Sequence, residues 1–243
     1  MTPTATAALP PLEAWGIVAT LEPLPGGHRN TAFRTRGLAG ERVFKTSRRS
    51  QGALAWLAPV HAAATAAGFR VPDLIASQRG ALSVAGWTCE PFIAGRAFAE
   101  TDLPGIAPQL AAFHAASGAL PQRPGFRAAA DFAAATRGGD IDLGLMPARL
   151  VQACRAAWAT LAGLPRAVVH GDICAGNLLH GDDGRPVLLD WDEARHDAPL
   201  FDLGQLAPMP PAIRRALAVW EVAVCWQIEP ARARALARRL PTA

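Results

Sequence analysis

Residues 178–190 constrain the fold of this chain more than any other stretch. Two short apolar runs, 178–180 and 186–190, flank the turn sequence Gly-Asp-Asp-Gly-Arg, a pattern typical of a β-hairpin. The hairpin would return Asp190 to the side of Asn177, although thirteen positions separate them. A surface hairpin whose acids only keep a turn soluble is the alternative. If the hairpin does return Asp190 to Asn177, two oxygen-bearing side chains lie close enough to share one ion.

A second motif begins just before the hairpin. His170 is followed by Asp172 and then by Asn177, so that the chain reads His-x-Asp-x-x-x-x-Asn. This spacing, with Asp190 at the end of the next strand, matches the catalytic loop and metal-binding residues of kinases. Asp172 would take or orient the proton of an acceptor hydroxyl. Asn177 and Asp190 would offer oxygen ligands to Mg²⁺, which is usually held by few protein groups and by substrate phosphates.

The motif continues as Leu-Leu-Asp-Trp-Asp at 188–192 and as Asp-Ala-Pro-Leu-Phe-Asp-Leu at 197–203. In this form it resembles the aminoglycoside phosphotransferase and choline kinase family. The resemblance is close over residues 167–206 and weaker at 110–115, which resembles the helix that precedes the catalytic loop. It implies that Asp172 is the catalytic base and that Asn177 and Asp190 are metal ligands, with Asp202 bracing the loop instead of touching substrate.

The resemblance also implies a fold and an activity. We expect a protein-kinase-like α+β fold, in which residues 1–90 form a small β-rich nucleotide-binding lobe. Residues 91–243 would form a larger, mostly helical catalytic and acceptor-binding lobe, with ATP in the cleft between the two. The expected reaction transfers the γ-phosphate of Mg-ATP to a hydroxyl of a small molecule such as an aminoglycoside, a choline-like amino alcohol, thiamine or a sugar.

The only lysine among 24 basic residues is Lys45. It ends the strand-like run 42–45, which follows another such run at 31–36, and a Gly-Gly-x-x-Asn sequence formed by Gly26, Gly27 and Asn30 precedes both. A Gly-rich turn between strands, with a lysine on the third strand, is the arrangement in which backbone amides cover ATP phosphates and an ammonium binds them. A simple hairpin turn and a solvated lysine are the alternative.

One departure from the family pattern concerns the partner of Lys45. The family carries a glutamate on the helix after the lysine, but residues 46–69 contain no acid. The predicted helix 51–68 offers Gln51 and is interrupted by Pro59, which would kink or break it. Gln51, a more distant acid or the phosphates would then orient Lys45. A catalytically weak or inactive nucleotide-binding pseudokinase is therefore the alternative function.

The adenine-binding segment is expected near residues 87–95, after a strand-like run at 81–85. Pro91 lacks an N–H group, so we expect the Phe92 N–H to donate to adenine and the Glu90 carbonyl to accept from it. An ordinary loop with a buried phenylalanine is the alternative.

The remainder predicts helices at 104–117, 126–136, 147–161 and 211–228. Residues 118–145 and those after 206 would shape the acceptor pocket. A cationic acceptor would need acids or aromatic faces, for which the candidates are Asp131, Asp140, Asp142, Asp192, Glu193, Trp220, Glu221 and Trp226.

Composition narrows the classes of protein to which this chain could belong. The formal charge of +4 raises the question of nucleic acid, but the arginines are dispersed and no aromatic residues alternate with a basic stripe, so we expect no nucleic-acid binding. No signal-like start and no long uncharged apolar run is present, so we expect a cytoplasmic protein without membrane contact. Four scattered cysteines predict free thiols. Oligomeric state is left open.

Overall fold

The computed structural model describes residues 9–25 and 29–240. Contacts divide the chain into two compact units: one contains residues up to Ala58 with Pro72–Ala94, and the other contains Pro59–Val71 with the chain from Gly95 onward. The predicted assignment of nucleotide binding to residues 1–90 and of catalysis to residues 91–243 concerns function and stays a prediction.

The first unit is built on an antiparallel sheet of strands in the order β1-β2-β3-β4. Its core contains Trp15, Phe44, Trp87 and Cys89, and the Trp15 and Phe44 rings meet edge to face at 5.2 Å. Lys45 lies opposite Ala32 and Thr88 in this sheet. The strands are β1 (Thr20–Pro23), β2 (Ala32–Arg36), β3 (Arg42–Thr46) and β4 (Trp87–Pro91).

The helical region after β3 is broken, as the proline predicted, but the break lies at Trp56. Helix α1 (Gln51–Ala55) begins at Ser50, whose hydroxyl accepts from the Ala53 N–H at 3.2 Å. Helix α2 (Leu57–Ala66) carries Pro59 in its first turn, where the missing N–H removes no helical hydrogen bond.

The predicted strand at 81–85 is wrong. Val84 and Trp87 form only an isolated bridge, and the two residues between them have positive φ, 50° at Ala85 and 79° at Gly86. Such a pair makes a tight two-residue turn. The segment therefore leads into β4 as a turn instead of forming a strand of its own.

The second unit is mainly helical. A large apolar core includes Phe132, Trp158, Phe201 and Trp220. Besides most of α2, its α-helices are α3 (Ala107–Ser117), α4 (Ala148–Ala159), α5 (Leu200–Leu203), α6 (Pro211–Ile228) and α7 (Pro230–Ala237). The α+β fold class is confirmed. Within the described residues, none of the helices combines the length and apolar character needed to cross a bilayer.

The helix predicted at 126–136 is wrong. Only a 3₁₀ turn, Ala129–Ala133, forms there, because the Asp131 carboxylate accepts from the Ala128 N–H at 3.1 Å and closes a local turn. A short hairpin follows it. The predicted helix 104–117 starts three residues later, at α3, and is preceded by a 3₁₀ helix, Glu100–Ile106.

Short strands complete the second unit and carry the loops of interest. They form three small sheets with the orders β10-β9-β5, β11-β8 and β6-β7. The strands are β5 (Gly95–Ala97), β6 (Arg137–Gly138), β7 (Ile141–Asp142), β8 (Ala167–Val169), β9 (Leu178–Gly181), β10 (Pro186–Leu188) and β11 (Arg195–Asp197).

Candidate active site

The predicted catalytic loop begins where β8 ends. His170 is fully buried, and its Nε2 lies 2.8 Å from the Leu189 carbonyl oxygen. The Asp172 N–H donates to Nδ1 of the same ring at 3.3 Å. A neutral ring with its proton on Nε2 satisfies both contacts. His170 thus connects the start of the loop to the strand that leads to Asp190.

Asp202 stabilises the same loop by hydrogen bonds to its backbone. Its buried carboxylate accepts from the backbone N–H groups of His170 at 2.9 Å and Gly171 at 2.8 Å. The carboxylate also lies 2.9 Å from Nε2 of His114 on α3. Burial raises the pKa of Asp202, but the hydrogen bond and charge of His114 and the hydrogen bond from the Gly171 N–H outweigh it, so the pKa lies below its ordinary value. This arrangement agrees with the bracing role that the family resemblance implied.

Position 171 requires glycine for two reasons: its backbone conformation and the lack of room for a side chain. Its φ is 86°, which glycine adopts without steric cost. A Cβ at this position would lie 2.8 Å from Nη1 of Arg195 and 2.9 Å from the Glu193 carbonyl oxygen. The loop therefore packs directly against the segment that follows Asp190.

Asn177 organises the part of the loop that carries Asp172. Asp172 is exposed. Nδ2 of Asn177 donates to the carbonyl oxygen of Asp172 and to the Asp172 carboxylate oxygen Oδ2, each at 2.9 Å. Ile173 between them is buried and fixes the loop to the core. The Asp172 carboxylate is thus held in one orientation while it faces solvent.

The predicted hairpin is confirmed. Leu178 of β9 lies opposite Leu188 of β10, and the Leu189 N–H donates to the Asn177 carbonyl oxygen at 2.9 Å. Asp190 therefore follows immediately after the residue that pairs with Asn177. Its backbone is left-handed, with φ 59° and ψ 66°, a strained conformation that Asp tolerates better than most residues and that is frequent at functional sites.

The side chains of Asn177 and Asp190 fit a hard cation. A carboxylate and an amide oxygen are ligands that Mg²⁺ accepts, and such sites are completed by water and substrate phosphates. The described residues contain no group of three or more His, Cys, Asp or Glu side chains suited to a metal.

In the first unit, Asn30 borders the predicted phosphate loop. With its amide nitrogen turned toward acceptors, Nδ2 lies 3.2 Å from the carbonyl oxygens of both Thr46 and Arg29. Asn30 thus ties the start of β2 to the end of β3, one residue beyond Lys45. Gly26 and Gly27 lie outside the described residues.

Gln51 does not take the place of the missing glutamate. Its Nε2 donates to the Ser83 carbonyl at 2.9 Å, and its Oε1 accepts from the Leu82 N–H at 2.8 Å. Both ends of the side chain therefore hold the 82–83 loop. The sequence offered three groups that could orient Lys45: Gln51, a more distant acid and the phosphates. With Gln51 engaged elsewhere, the distant acid and the phosphates are the two that are left.

The backbone geometry does not favour the predicted adenine contacts of Phe92 and Glu90. The Phe92 N–H donates to the Glu41 carbonyl at 3.0 Å, so it points into the sheet. Backbone groups two residues apart face the same side of a strand, and the Glu90 carbonyl therefore also faces β3. Sequence spacing alone could not show which side of β4 each backbone group faces.

Most acceptor-pocket candidates have structural roles. Asp131 caps a turn and pairs with Arg166, and Asp142 caps the turn at Gly144. Trp220 lies in the core of the second unit. Burial raises the pKa of the Cys174 thiol, with a further rise from Asp172, and a thiol with a raised pKa is a poor nucleophile.

Two residues near this site have no distinguishing sequence signal. Gln122 and Arg123 lie between two prolines in a segment without regular structure, and both bind the chain that follows Asp190. Arg123 could not be singled out because arginine is the usual basic residue throughout the sequence.

A family model described as "Phosphotransferase enzyme family" matches residues 20–236 of the chain. The chain belongs to this phosphotransferase family. The prediction of a phosphotransferase enzyme is thereby confirmed. A comparison with curated proteins gave no significant match.

Solved structures show that the phosphotransferase shares a fold with aminoglycoside, spectinomycin and macrolide phosphotransferases. Aminoglycoside phosphotransferase APH(4)-Ia superposes with a TM-score of 0.59 at 15% identity, over 93% of this chain and 96% of that one. Spectinomycin phosphotransferase APH(9)-Ia, solved with ADP and spectinomycin, gives 0.58 at 14% identity, over 95% and 88%. Macrolide 2'-phosphotransferase MphH from Brachybacterium faecium gives 0.54 at 18% identity, over 96% and 97%.

Proposed function

We propose that the protein is an ATP-dependent kinase that transfers the γ-phosphate to a hydroxyl group of a small molecule in the cytoplasm. The observation that carries this proposal is the position of Asn177. Its side chain binds Asp172, and its backbone pairs with Leu189, the residue before Asp190. A base and two oxygen ligands are thus held by one short segment, as in-line phosphoryl transfer requires.

Asp172 is the proposed catalytic base. Its carboxylate is exposed to solvent, where an acceptor could approach, and the bond from Asn177 fixes one carboxylate oxygen. The other oxygen would accept the proton of the attacking hydroxyl. Asn177 and Asp190 would hold Mg²⁺, which neutralises phosphate charge.

Groups of the first unit would bind the nucleotide. Gly26, Gly27 and Lys45 are the proposed phosphate contacts, and the Asn30 side chain would shape the base of their loop. Because the Phe92 N–H faces β3, the Pro91 carbonyl and the Ile93 N–H face the other side of β4. We propose these two groups as the adenine contacts.

A nucleotide-binding pseudokinase is the second candidate. It is favoured by helices α1 and α2, which contain no acid to pair with Lys45. The hydrogen-bonded pair of Asp172 and Asn177 argues against a pseudokinase, because a protein that only binds nucleotide does not need a positioned base.

A thermal-shift titration with ATP, with and without Mg²⁺, tests the nucleotide site. We expect a rise in melting temperature that requires Mg²⁺ in the wild type and is lost in Asp190→Ala, because ligand binding stabilises the folded state. Asp183→Ala is the matched control: Asp183 lies in the exposed turn of the same hairpin and pairs with Arg185. An equal shift in Asp190→Ala and wild type would refute the metal role.

An acceptor screen then separates kinase from pseudokinase. Hygromycin B, spectinomycin and gentamicin occur in complexes with structural neighbours, and choline, thiamine and sugars extend the range of hydroxyl acceptors. Acceptor-dependent release of ADP would establish the kinase. Mg-ATP binding without turnover on any acceptor would favour the pseudokinase.

A further inference from the structure

Four consecutive carbonyl groups follow Asp190, and all of them accept hydrogen bonds from two arginines. Nη1 of Arg123 lies 3.1 Å from the Trp191 oxygen, 2.9 Å from the Asp192 oxygen and 3.1 Å from the Ala194 oxygen. The remaining carbonyl, from Glu193, accepts from Nη1 of Arg195 at 3.2 Å. The turn after Asp190 is therefore held through its backbone.

Both arginines are buried, each with 1% of its surface exposed. A buried guanidinium is costly unless it is hydrogen-bonded or paired. Arg195 pairs with Asp197 at 2.9 Å. Arg123 donates to the carbonyl oxygens named above and stacks 4.5 Å from the Phe126 ring centroid. The carbonyls belong to a 3₁₀ helix, Trp191–Glu193, and its end. The Trp191 carbonyl also accepts from the Ala194 N–H at 3.2 Å, and carbonyls at a helix end attract cations.

Gln122 extends the same attachment. Its Nε2 donates to the His196 carbonyl at 2.8 Å, and its Oε1 accepts from the His196 N–H at 3.0 Å. The same oxygen accepts from the Arg123 N–H at 2.8 Å. The pair Gln122 and Arg123 thus binds the backbone of the segment from Trp191 to His196 at both ends.

We propose that Arg123 is a positioning residue for Asp190, which acts by holding the Trp191–Ala194 turn so that the Asp190 carboxylate is oriented for Mg²⁺. This inference rests on the proposed function of Asp190 as a metal ligand. Asp190 has a left-handed backbone, and such a conformation persists only when the surrounding structure enforces it. Arg123 supplies three of the contacts that enforce it.

The test compares Arg123→Met with Arg123→Lys. Methionine keeps an apolar chain of similar length but removes every donor. Lysine keeps one nitrogen with three donors, and a single nitrogen of Arg123 makes all three bonds. Arg155→Met is the control, because Arg155 is partly buried and, like Arg123, donates to a backbone carbonyl, that of Phe132, away from this turn.

The measurement is calorimetric ATP binding across a range of Mg²⁺ concentrations, with melting temperature recorded in parallel. We expect Arg123→Met to raise the Mg²⁺ concentration for half-maximal enhancement of ATP binding by about 10- to 100-fold, the usual effect of losing a group that orients a metal ligand. ATP binding without Mg²⁺ should not change. Arg123→Lys and Arg155→Met should stay within about threefold of wild type.

The outcomes separate the inference from the proposed function. Wild-type protein without Mg²⁺-dependent ATP binding would refute the proposed metal site and this inference with it. Mg²⁺-dependent binding in the wild type that is unchanged in Arg123→Met, even with a lower melting temperature, would refute the positioning role alone. If Arg123→Met does not fold, Gln122→Ala decides: a higher half-maximal Mg²⁺ concentration supports the inference, and an unchanged one refutes it.

Discussion

At the scale of single residues, the site depends on a carboxylate that protein contacts orient without burying it. Asp172 combines solvent exposure with a fixed carboxylate oxygen. An exposed base can meet an acceptor, and a fixed one does not lose rotamer freedom when the acceptor binds.

Replacing Asp172 with alanine tests this role. We expect turnover to fall by about 10²- to 10⁴-fold, the usual contribution of a positioned general base, while Mg-ATP affinity stays near that of wild type. Steady-state kinetics and calorimetry measure the two effects. Asp182→Ala, an exposed acid in the hairpin turn, is the control, and normal turnover in Asp172→Ala would disprove the assignment.

Asp172, Asn177 and Asp190 were singled out from sequence because the proposed base and metal ligands follow a fixed order along a loop and hairpin, and the structure forms that loop and hairpin. Arg123 was not, since its role arises from burial against backbone carbonyls and leaves no local pattern.

At the scale of elements, the catalytic loop and the turn after Asp190 are in direct contact through Gly171. The close approach to Arg195 and Glu193 leaves no room for a methyl group. The loop thus relies on a glycine for two separate reasons, one conformational and one steric.

Gly171→Ala and Gly184→Ala separate these reasons. Both positions have positive φ, 86° and 78°, but a Cβ at Gly184 would meet nothing within 4 Å. We expect Gly184→Ala to lower the free energy of unfolding by about 1 kcal/mol from backbone strain alone. Gly171→Ala should cost more and should also reduce turnover. Denaturant melts with activity assays measure both, and equal effects would show that the steric contact has no consequence.

Elements were predicted from sequence when turn chemistry and periodicity agreed. The hairpin of β9 and β10 and the helix Pro211–Ile228 match their predictions. The failures at 81–85 and 126–136 share a cause. In both segments an apolar composition suggested regular structure, while local backbone geometry, at Ala85 and at Asp131, produced a turn.

At the scale of the whole molecule, the stability of the second unit is coupled to pH through Asp202. Its folded pKa lies below the ordinary value, so ionised Asp202 contributes stability above the unfolded pKa of about 3.9. That contribution is lost as pH falls through the lower, folded pKa. Asp197 acts in the opposite direction, since burial outweighs Arg195 and raises its pKa.

The pH dependence of Asp202→Asn tests this coupling. The asparagine amide has one acceptor oxygen where the carboxylate has two, so one buried donor loses its partner. We expect this loss to lower the free energy of unfolding by about 1–3 kcal/mol near neutral pH. We expect the stability difference from wild type to shrink as pH falls below about 4, measured by denaturant melts from pH 7 to 3. A difference that is constant over this range would contradict the prediction. Should Asp202→Asn not fold, His114→Gln, which removes one contact, serves the same comparison.

The whole fold could be predicted because a few residues identify the family, although overall identity to the structural neighbours is only 14–18%. A shared fold at such low identity is possible because a core tolerates many substitutions that keep its volume and its hydrophobic pattern. Acceptor contacts could not be predicted in this way, and three of the six acids singled out for them, Asp131, Asp142 and Glu221, cap turns or pair with arginine.

The hydrogen bond between Leu189 and Asn177 closes the β9–β10 hairpin at the end opposite its turn. The spacing of Asn177 and Asp190 is therefore set by strand pairing and is independent of the number of residues in the turn. Residues 182–185 are exposed, and lengthening such a loop adds little closure entropy. This turn is a position where the chain can accept an inserted peptide, in evolution or by engineering, while Asn177 and Asp190 keep their places.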